Sequence, residues 1–315
     1  MSKIACGIDL GGTKLEVGIV DDKGNIIARV KRPTDAHKGP EGVIDKINDS
    51  IMTALEKSNI KQKDLLGIGI GVPGLIHADI GKVIFLTNLP GWRDIPLAEI
   101  IEEKFHIPVK LANDADAAAY GEYLFGSGRD ARNFVYMTVS TGIGGGVIIE
   151  GKPYHGASSG AAEIGHVVID IHGEKCNCGN YGCFEALASG TAIARFAKRA
   201  IDMGRHSLIE ELSGDGPIKA EHVFEAAGRG DSLALDIINE EAFYLGIGIC
   251  NIMAMYNPER IAIGGGISNQ WDMLYHKVME TVNDRALKQN AKVCRVIKAK
   301  LGTDAGVVGA AALTI

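Results

Sequence analysis

The chain has 315 residues, 46% hydrophobic and 23% charged, with 33 basic and 39 acidic side chains and a formal net charge of -6. This composition excludes disorder, collagen and coiled coil, and the length reads as about two domains of ~150 residues. A local patch aside, no positive field exists to draw in nucleic acid or an anionic membrane.

Residues 3–30 read as three strands: IACGIDL into a GGTK turn, LEVGIV into DDKGN, then IIARV. DDKGN is strong turn chemistry because Asp, Gly and Asn tolerate the backbone angles of a hairpin. The opening apolar stretch is broken by Asp9 and is too short for a signal segment. Residues 41–57 place Val43, Ile44, Ile47, Ile51 and Leu55 at helical spacing, and LLGIGIGVPG (65–74) is a strand running into a Pro-Gly turn. LANDADAAAYGEY (111–123) is a strand leading into an Ala-rich helix.

The second half repeats the opening. FVYMTVS (134–140) runs into TGIGGG, VIIEG follows with a tight turn, and KPYHG returns. Strand, Gly/Thr turn, strand, turn, strand thus occurs twice, about half a chain apart, as in a duplicated α/β fold with a cleft between its halves. Residues 186–203 and 219–256 read as mainly helical. The run 242–256 is too short to span a bilayer and reads as a buried helix, which points to a cytosolic protein. RIAIGGGIS (260–268) is a buried strand opening a Gly turn, VCRVIKAKL (293–301) is a last strand, and GTDAGVVGAAALTI closes the chain as a small-residue helix.

Three glycine turns after strands exceed what hairpins require. In GIDLGGTK, Asp9 ends a strand, and Gly11, Gly12 and Thr13 present a concave set of donors suited to phosphate oxygens. Lys14 adds a point charge, and Asp9 is placed to hold a phosphate-bound Mg²⁺ through water. A plain hairpin turn is the competing reading of the same glycines. TGIGGG (141–146) duplicates this turn with Thr141, Gly142 and Gly144, and Gly264, Gly265 and Gly266 let a base or ribose lie against backbone. Asp114 has two readings, an N-cap accepting amide hydrogen bonds or a general base fixed at a strand end.

Of six cysteines, three lie in CNCGNYGC (176–183). Cys176, Cys178 and Cys183 with His166 complete a tetrahedral Zn²⁺ shell with no open position, so the metal is structural. Glu163 and Glu185 flank the cluster; held in place by the metal, they suit hydrogen bonding to a polyol. Cys6, Cys250 and Cys294 sit alone in apolar surroundings as small buried hydrophobes.

GIDLGGTK, AAEIGH (161–166), CNCGNYGCFE (176–185) and NPERIAIGGG together resemble the ROK family of sugar kinases and sugar-responsive repressors, from residue 4 to 312. Within that family the chain is most similar to the bacterial ATP-dependent glucokinases. The resemblance implies an actin/hexokinase-like (ribonuclease H-like) duplicated α/β fold with a central cleft. It places a smaller N-terminal α/β domain at 1–117 plus 301–315, and a larger C-terminal α/β domain with the zinc-binding loop at 118–300. It also implies that Asp114 is the base for the 6-hydroxyl of glucose, and that Asn88, Asn113, Glu163, His166 and Glu185 contact the sugar. The turns at 11–14 and 141–146 then hold the phosphates of ATP with Mg²⁺, with 264–266 near adenosine.

The same resemblance implies a cytoplasmic homo-oligomer, a dimer or tetramer, that takes a hexose and neither nucleic acid nor membrane. N-acetylmannosamine, N-acetylglucosamine, mannose or fructose as substrate, and polyphosphate as donor, are the alternatives within the kinase class. A sugar-responsive repressor is the alternative of a different class. The first strand begins by residue 4, which is expected to leave no room for a DNA-binding helical domain.

Overall fold

The computed structural model describes residues 3–86 and 88–315. The chain opens with β1 (Ile4–Leu10), β2 (Lys14–Asp21), β3 (Ile26–Pro33) and helix α1 (Gly39–Ser58). Strand β4 (Leu65–Val72) follows, then the short β5 (Leu75–His77), β6 (Lys82–Phe85) and β7 (Arg93–Ile95). Helix α2 (Leu97–Phe105), β8 (Val109–Asn113) and α3 (Asp114–Phe125) complete this part. The apolar residues of α1 are buried at the expected spacing, and Asp21 Oδ1 accepts from the amides of Lys23 and Asn25 to close the DDKGN turn.

The repeat runs through β9 (Phe134–Val139), β10 (Ile143–Ile149) and β11 (Lys152–Pro153). Helices α4 (Phe184–Leu187), α5 (Gly190–Asp202), α6 (Leu208–Ser213), α7 (Ala220–Gly228) and α8 (Ser232–Tyr256) come next. The chain ends with β12 (Arg260–Gly264), α9 (Trp271–Arg285), α10 (Lys288–Val293), β13 (Arg295–Lys298) and α11 (Ala305–Ala312).

Two five-stranded sheets carry the duplication. Their orders are β3-β2-β1-β4-β8 and β11-β10-β9-β12-β13, the same sequence of third, second, first, fourth and fifth strand. In the first, β1 pairs antiparallel with β2 and parallel with β4, and β4 pairs parallel with β8. Strands β5, β6 and β7 form a separate three-stranded sheet inserted into the first repeat. Two compact units result: residues 1–136, 146–162 and 299–315 in one, and 137–145 with 163–298 in the other.

Many glycines serve packing rather than ligands. Gly7, Gly18 and Gly69 stand opposite one another across β2, β1 and β4. A Cβ on Gly7 would lie 2.0 Å from the carbonyl oxygen of Val307, and one on Gly69 only 1.7 Å from that of Ala310. The bare row lets the small-residue helix α11 sit directly on the sheet, where its face from Val307 to Ala312 is buried. Cys6 and Cys294 are buried as expected, whereas Cys250 is half-buried on α8. Among the described residues no helix is long and apolar enough to cross a membrane.

Candidate active site

In the first unit the carboxyl ends of the parallel strands β1, β4 and β8 gather the predicted polar residues, the edge at which open α/β sheets bind ligands. Asp9 is half-buried at the end of β1, and burial raises its pKa, with the Lys14 ammonium opposing. The turn after it is closed by the Gly11 amide donating to the Lys14 carbonyl at 2.8 Å. Thr34, fully buried, fixes the same turn from outside: its amide donates to the Thr13 carbonyl at 3.0 Å and its hydroxyl to the Gly11 carbonyl at 2.7 Å. Asn88 lies exposed against Gly12, whose missing Cβ would stand 2.8 Å from that of Asn88.

At the end of β8 the structure corrects one of the two readings of Asp114. The N-cap of α3 is Asn113, in extended conformation, its side chain accepting from the Ala115 amide at 2.9 Å. Asp114 is the first helical residue, and its Oδ1 shares the same amide at 2.9 Å. Two good capping residues stand side by side, and the backbone angles give the cap to the first. Asn113 keeps its Nδ2 for other partners, with the Gly74 carbonyl 3.4 Å away. Burial, followed by the negative charge of Asp9, pushes the Asp114 carboxyl up to about 6, against the Ala115 hydrogen bond that lowers it. A carboxylate with such a pKa is a base poised near neutral pH.

In the second unit, TGIGGG is not one turn. The turn is confined to 140–142, closed by the Ser140 amide donating to the Gly142 carbonyl at 2.9 Å, and Gly144 already lies in β10. The Gly266 amide donates to Ser140 Oγ at 2.8 Å, which ties the turns at 140–142 and 264–266 together. Thr191 braces the first from below, its hydroxyl donating to the Thr141 carbonyl at 2.7 Å. Nothing in the spacing of Ser140, Thr191 and Thr34 along the chain marks them in advance.

Glu185, on the first turn of α4, reaches both the turn and the cysteine loop. Its Oε2 accepts from the Ile143 amide at 2.9 Å and its Oε1 lies 3.8 Å from Cys176 Sγ. His166 ends a short 3-10 turn (Ile164–His166) that follows Glu163. Its Nδ1 stands 3.7 Å from Cys176 Sγ, while its Nε2 points to Glu163 Oε2 at 3.9 Å. The ligand atoms of His166, Cys176, Cys178 and Cys183 all lie within 4.8 Å of one another, with 3.7 Å between the sulfurs of Cys178 and Cys183. A tetrahedron with metal–sulfur bonds of ~2.3 Å has edges of about 3.8 Å, so the four groups fit one ion. Antiparallel bridges at Val168–Cys183 and Lys175–Tyr181 fold the loop so that these ligands meet.

Comparison with known proteins places this geometry. The match to the ROK family covers residues 5–315. The chain belongs to the ROK family. Among ROK relatives, a glucokinase of Thermotoga maritima is 39% identical over 309 residues, 98% of this chain and 96% of that protein. The crystal structure of a ROK family glucokinase from Streptomyces griseus in complex with glucose and AMPPNP is similar at a TM-score of 0.81 and 33% identity, covering 98% of each chain. A xylose repressor of Caldicellulosiruptor bescii is 31% identical over 98% of this chain but only 77% of its own length. The fold of this ROK protein is the actin/hexokinase-like (ribonuclease H-like) α/β fold, as the repeated strand order requires.

Proposed function

We propose that this ROK protein is an ATP-dependent glucokinase, transferring the γ-phosphoryl group of ATP to O6 of glucose. The observation that carries the reading is Asp114, a half-buried carboxylate at the carboxyl edge of a parallel sheet with its pKa raised to about 6. The likeness over nearly the full chain to a glucokinase solved with glucose and AMPPNP supplies the substrate pair.

Phosphoryl transfer passes through a loose transition state, so catalysis is mostly positioning and charge neutralisation. Asp114 accepts a hydrogen bond from the sugar 6-hydroxyl and takes its proton as the new P–O bond forms. Asn113, with Oδ1 committed to the helix cap, offers Nδ2 to the sugar. Glu163, His166 through Nε2, Glu185 through Oε1, and Asn88 complete the sugar contacts. Amides and hydroxyls at Gly12, Thr13, Thr141 and Gly142, with the Lys14 ammonium, are assigned to phosphate oxygens, whereas the Gly11 amide closes its own turn and Gly144 belongs to β10. Asp9 is assigned to Mg²⁺, which neutralises phosphate charge when bound, and Gly264, Gly265 and Gly266 to adenosine.

The four-ligand cluster is assigned to zinc. With three thiolates and one imidazole it has no open position and serves to fix the His166 ring and the start of α4. A cytoplasmic homo-oligomer, dimer or tetramer, without nucleic-acid or membrane partners completes the reading; the family likeness and the net charge of -6 support it.

Two measurements test the function. In a panel of hexoses at fixed MgATP, glucose is expected to give the highest kcat/KM, with glucose 6-phosphate as product. Preference for N-acetylmannosamine, N-acetylglucosamine, mannose or fructose would reassign the sugar, and no turnover with any sugar would reject the kinase. The base also fixes the pH profile. Because Asp114 works deprotonated, kcat/KM for glucose is expected to fall about tenfold per pH unit below a pKa near 6 and to level off above it. A plateau persisting to pH 5 would contradict the assignment.

A further inference from the structure

We propose that Glu16 is a positioning residue for the nucleotide site: with Arg29 and Asp304 it fixes the Lys14 ammonium and the Asp9 carboxylate where magnesium-bound phosphates are received. The inference rests on the kinase reading and deepens it.

Glu16 lies in the middle of β2 and is 1% exposed. It stands directly opposite Asp9 on β1 and opposite Lys31 on β3, so the three occupy one row on one face of the sheet. Its carboxylate is ion-paired to Lys14, to Arg29 Nε at 3.2 Å and to Lys31 Nζ at 3.4 Å. Its polar contacts among the described residues are all to cations, so ion pairing holds it. A buried ion cluster of this kind adds little stability compared with apolar side chains of the same volume. Like charges directly across a strand pair are themselves unfavourable, and the Glu16 charge adds to the upward shift of Asp9. A row that costs stability points to a requirement other than folding.

The cluster closes on the other side of Asp9. Arg29 also donates to Asp304 Oδ1 at 2.5 Å, and Asp304 is the N-cap residue of α11. Gly306, in the first turn of α11, faces Asp9 so closely that a Cβ there would stand 2.7 Å from Oδ2. Glu16 therefore touches Lys14 on one side, and through Arg29 and Asp304 it locks the helix end against Asp9. Lys14 remains 48% exposed at its side chain, anchored at its ammonium yet open to an incoming anion. The pair Asp9 and Lys14 is thus presented as one preset cation–anion site, poised for a magnesium-bound polyphosphate.

Titration calorimetry with MgAMPPNP, and separately with glucose, tests this on the full chain. Glu16→Gln is expected to weaken MgAMPPNP binding about tenfold, as loss of an outer-shell partner does, while glucose affinity holds within about twofold. Asp304→Asn, a change at a more exposed position, is expected to shift nucleotide affinity the same way by a smaller factor. In steady state the KM for MgATP rises and that for glucose does not. A folded Glu16→Gln protein with unchanged MgAMPPNP affinity, or one that loses nucleotide and glucose binding together, would overturn the inference. If Glu16→Gln does not fold, unchanged nucleotide binding by Asp304→Asn overturns it equally. Failure of the parent protein to bind MgAMPPNP would instead remove the kinase reading itself.

Discussion

Asp114→Asn is expected to lower kcat by about 10²–10⁴-fold, the usual contribution of a general base, while calorimetry finds glucose binding intact. An asparagine there retains an oxygen for the Ala115 amide, so the helix start survives and only the proton acceptor is lost. Turnover within tenfold of the parent would reject the base. The same variant is expected to be the more stable protein above neutral pH, and the sign follows from proton binding. The folded carboxyl titrates near 6 and the unfolded one near 3.8, so between these values the folded state holds more protons. Stability therefore declines as pH rises through that window and stays low above it. Asparagine never acquires the charge. Thermal melts are expected to show Asp114→Asn melting above the parent at pH 8 and level with it at pH 4; equal melting temperatures at pH 8 would show that burial does not strain the carboxylate.

Metal removal has the second large expected effect. The loop from Val168 to Cys183 contains no long helix or strand; two isolated β-bridges, short-range backbone hydrogen bonds and the Glu174–Arg199 ion pair hold it beside the four ligands. Structural zinc in small domains binds with an apparent free energy of about 10–16 kcal/mol near neutral pH, enough to decide whether such a loop is folded. Chelation, or Cys178→Ser, is expected to release one zinc per chain, measured by elemental analysis, to lower the melting temperature and to weaken glucose binding about 10–100-fold. The weakening follows because His166 offers Nε2 only while Nδ1 faces the cysteines, and because Glu185 stands beside Cys176. Verified metal-free protein that binds glucose as tightly as the parent would contradict the second role of these residues.

What the sequence displays and what it conceals divide along the range of the interactions. DDKGN and the spacing of Val43 to Leu55 are local patterns, and the turn and helix they foretell are present; the three cysteines within 176–183 lie together with His166. The duplication is legible because both repeats keep a strand–turn–strand order, and the two sheets reproduce it. The misplaced cap is a local ambiguity: Asn113 and Asp114 are chemically equivalent caps until backbone angles choose between them. The glycines of 144–146 read as a turn, although Gly146 is there because Ala119 of α3 would come within 2.4 Å of a Cβ. Gly7, Gly18 and Gly69 make room for the helix Ala305–Ala312 at the far end of the chain, which no local window contains. Strands β5–β7 are too short to show a period; the partners of Glu16 are set by strand register, and those of Thr34 and Ser140 by contacts between turns distant in sequence.

A crystal structure with glucose bound tests the central claim most directly. The account predicts an Asp114 carboxylate oxygen about 2.6–3.2 Å from the sugar O6, within reach of its proton. An Asp114 side chain out of contact with every oxygen of the bound hexose would contradict it.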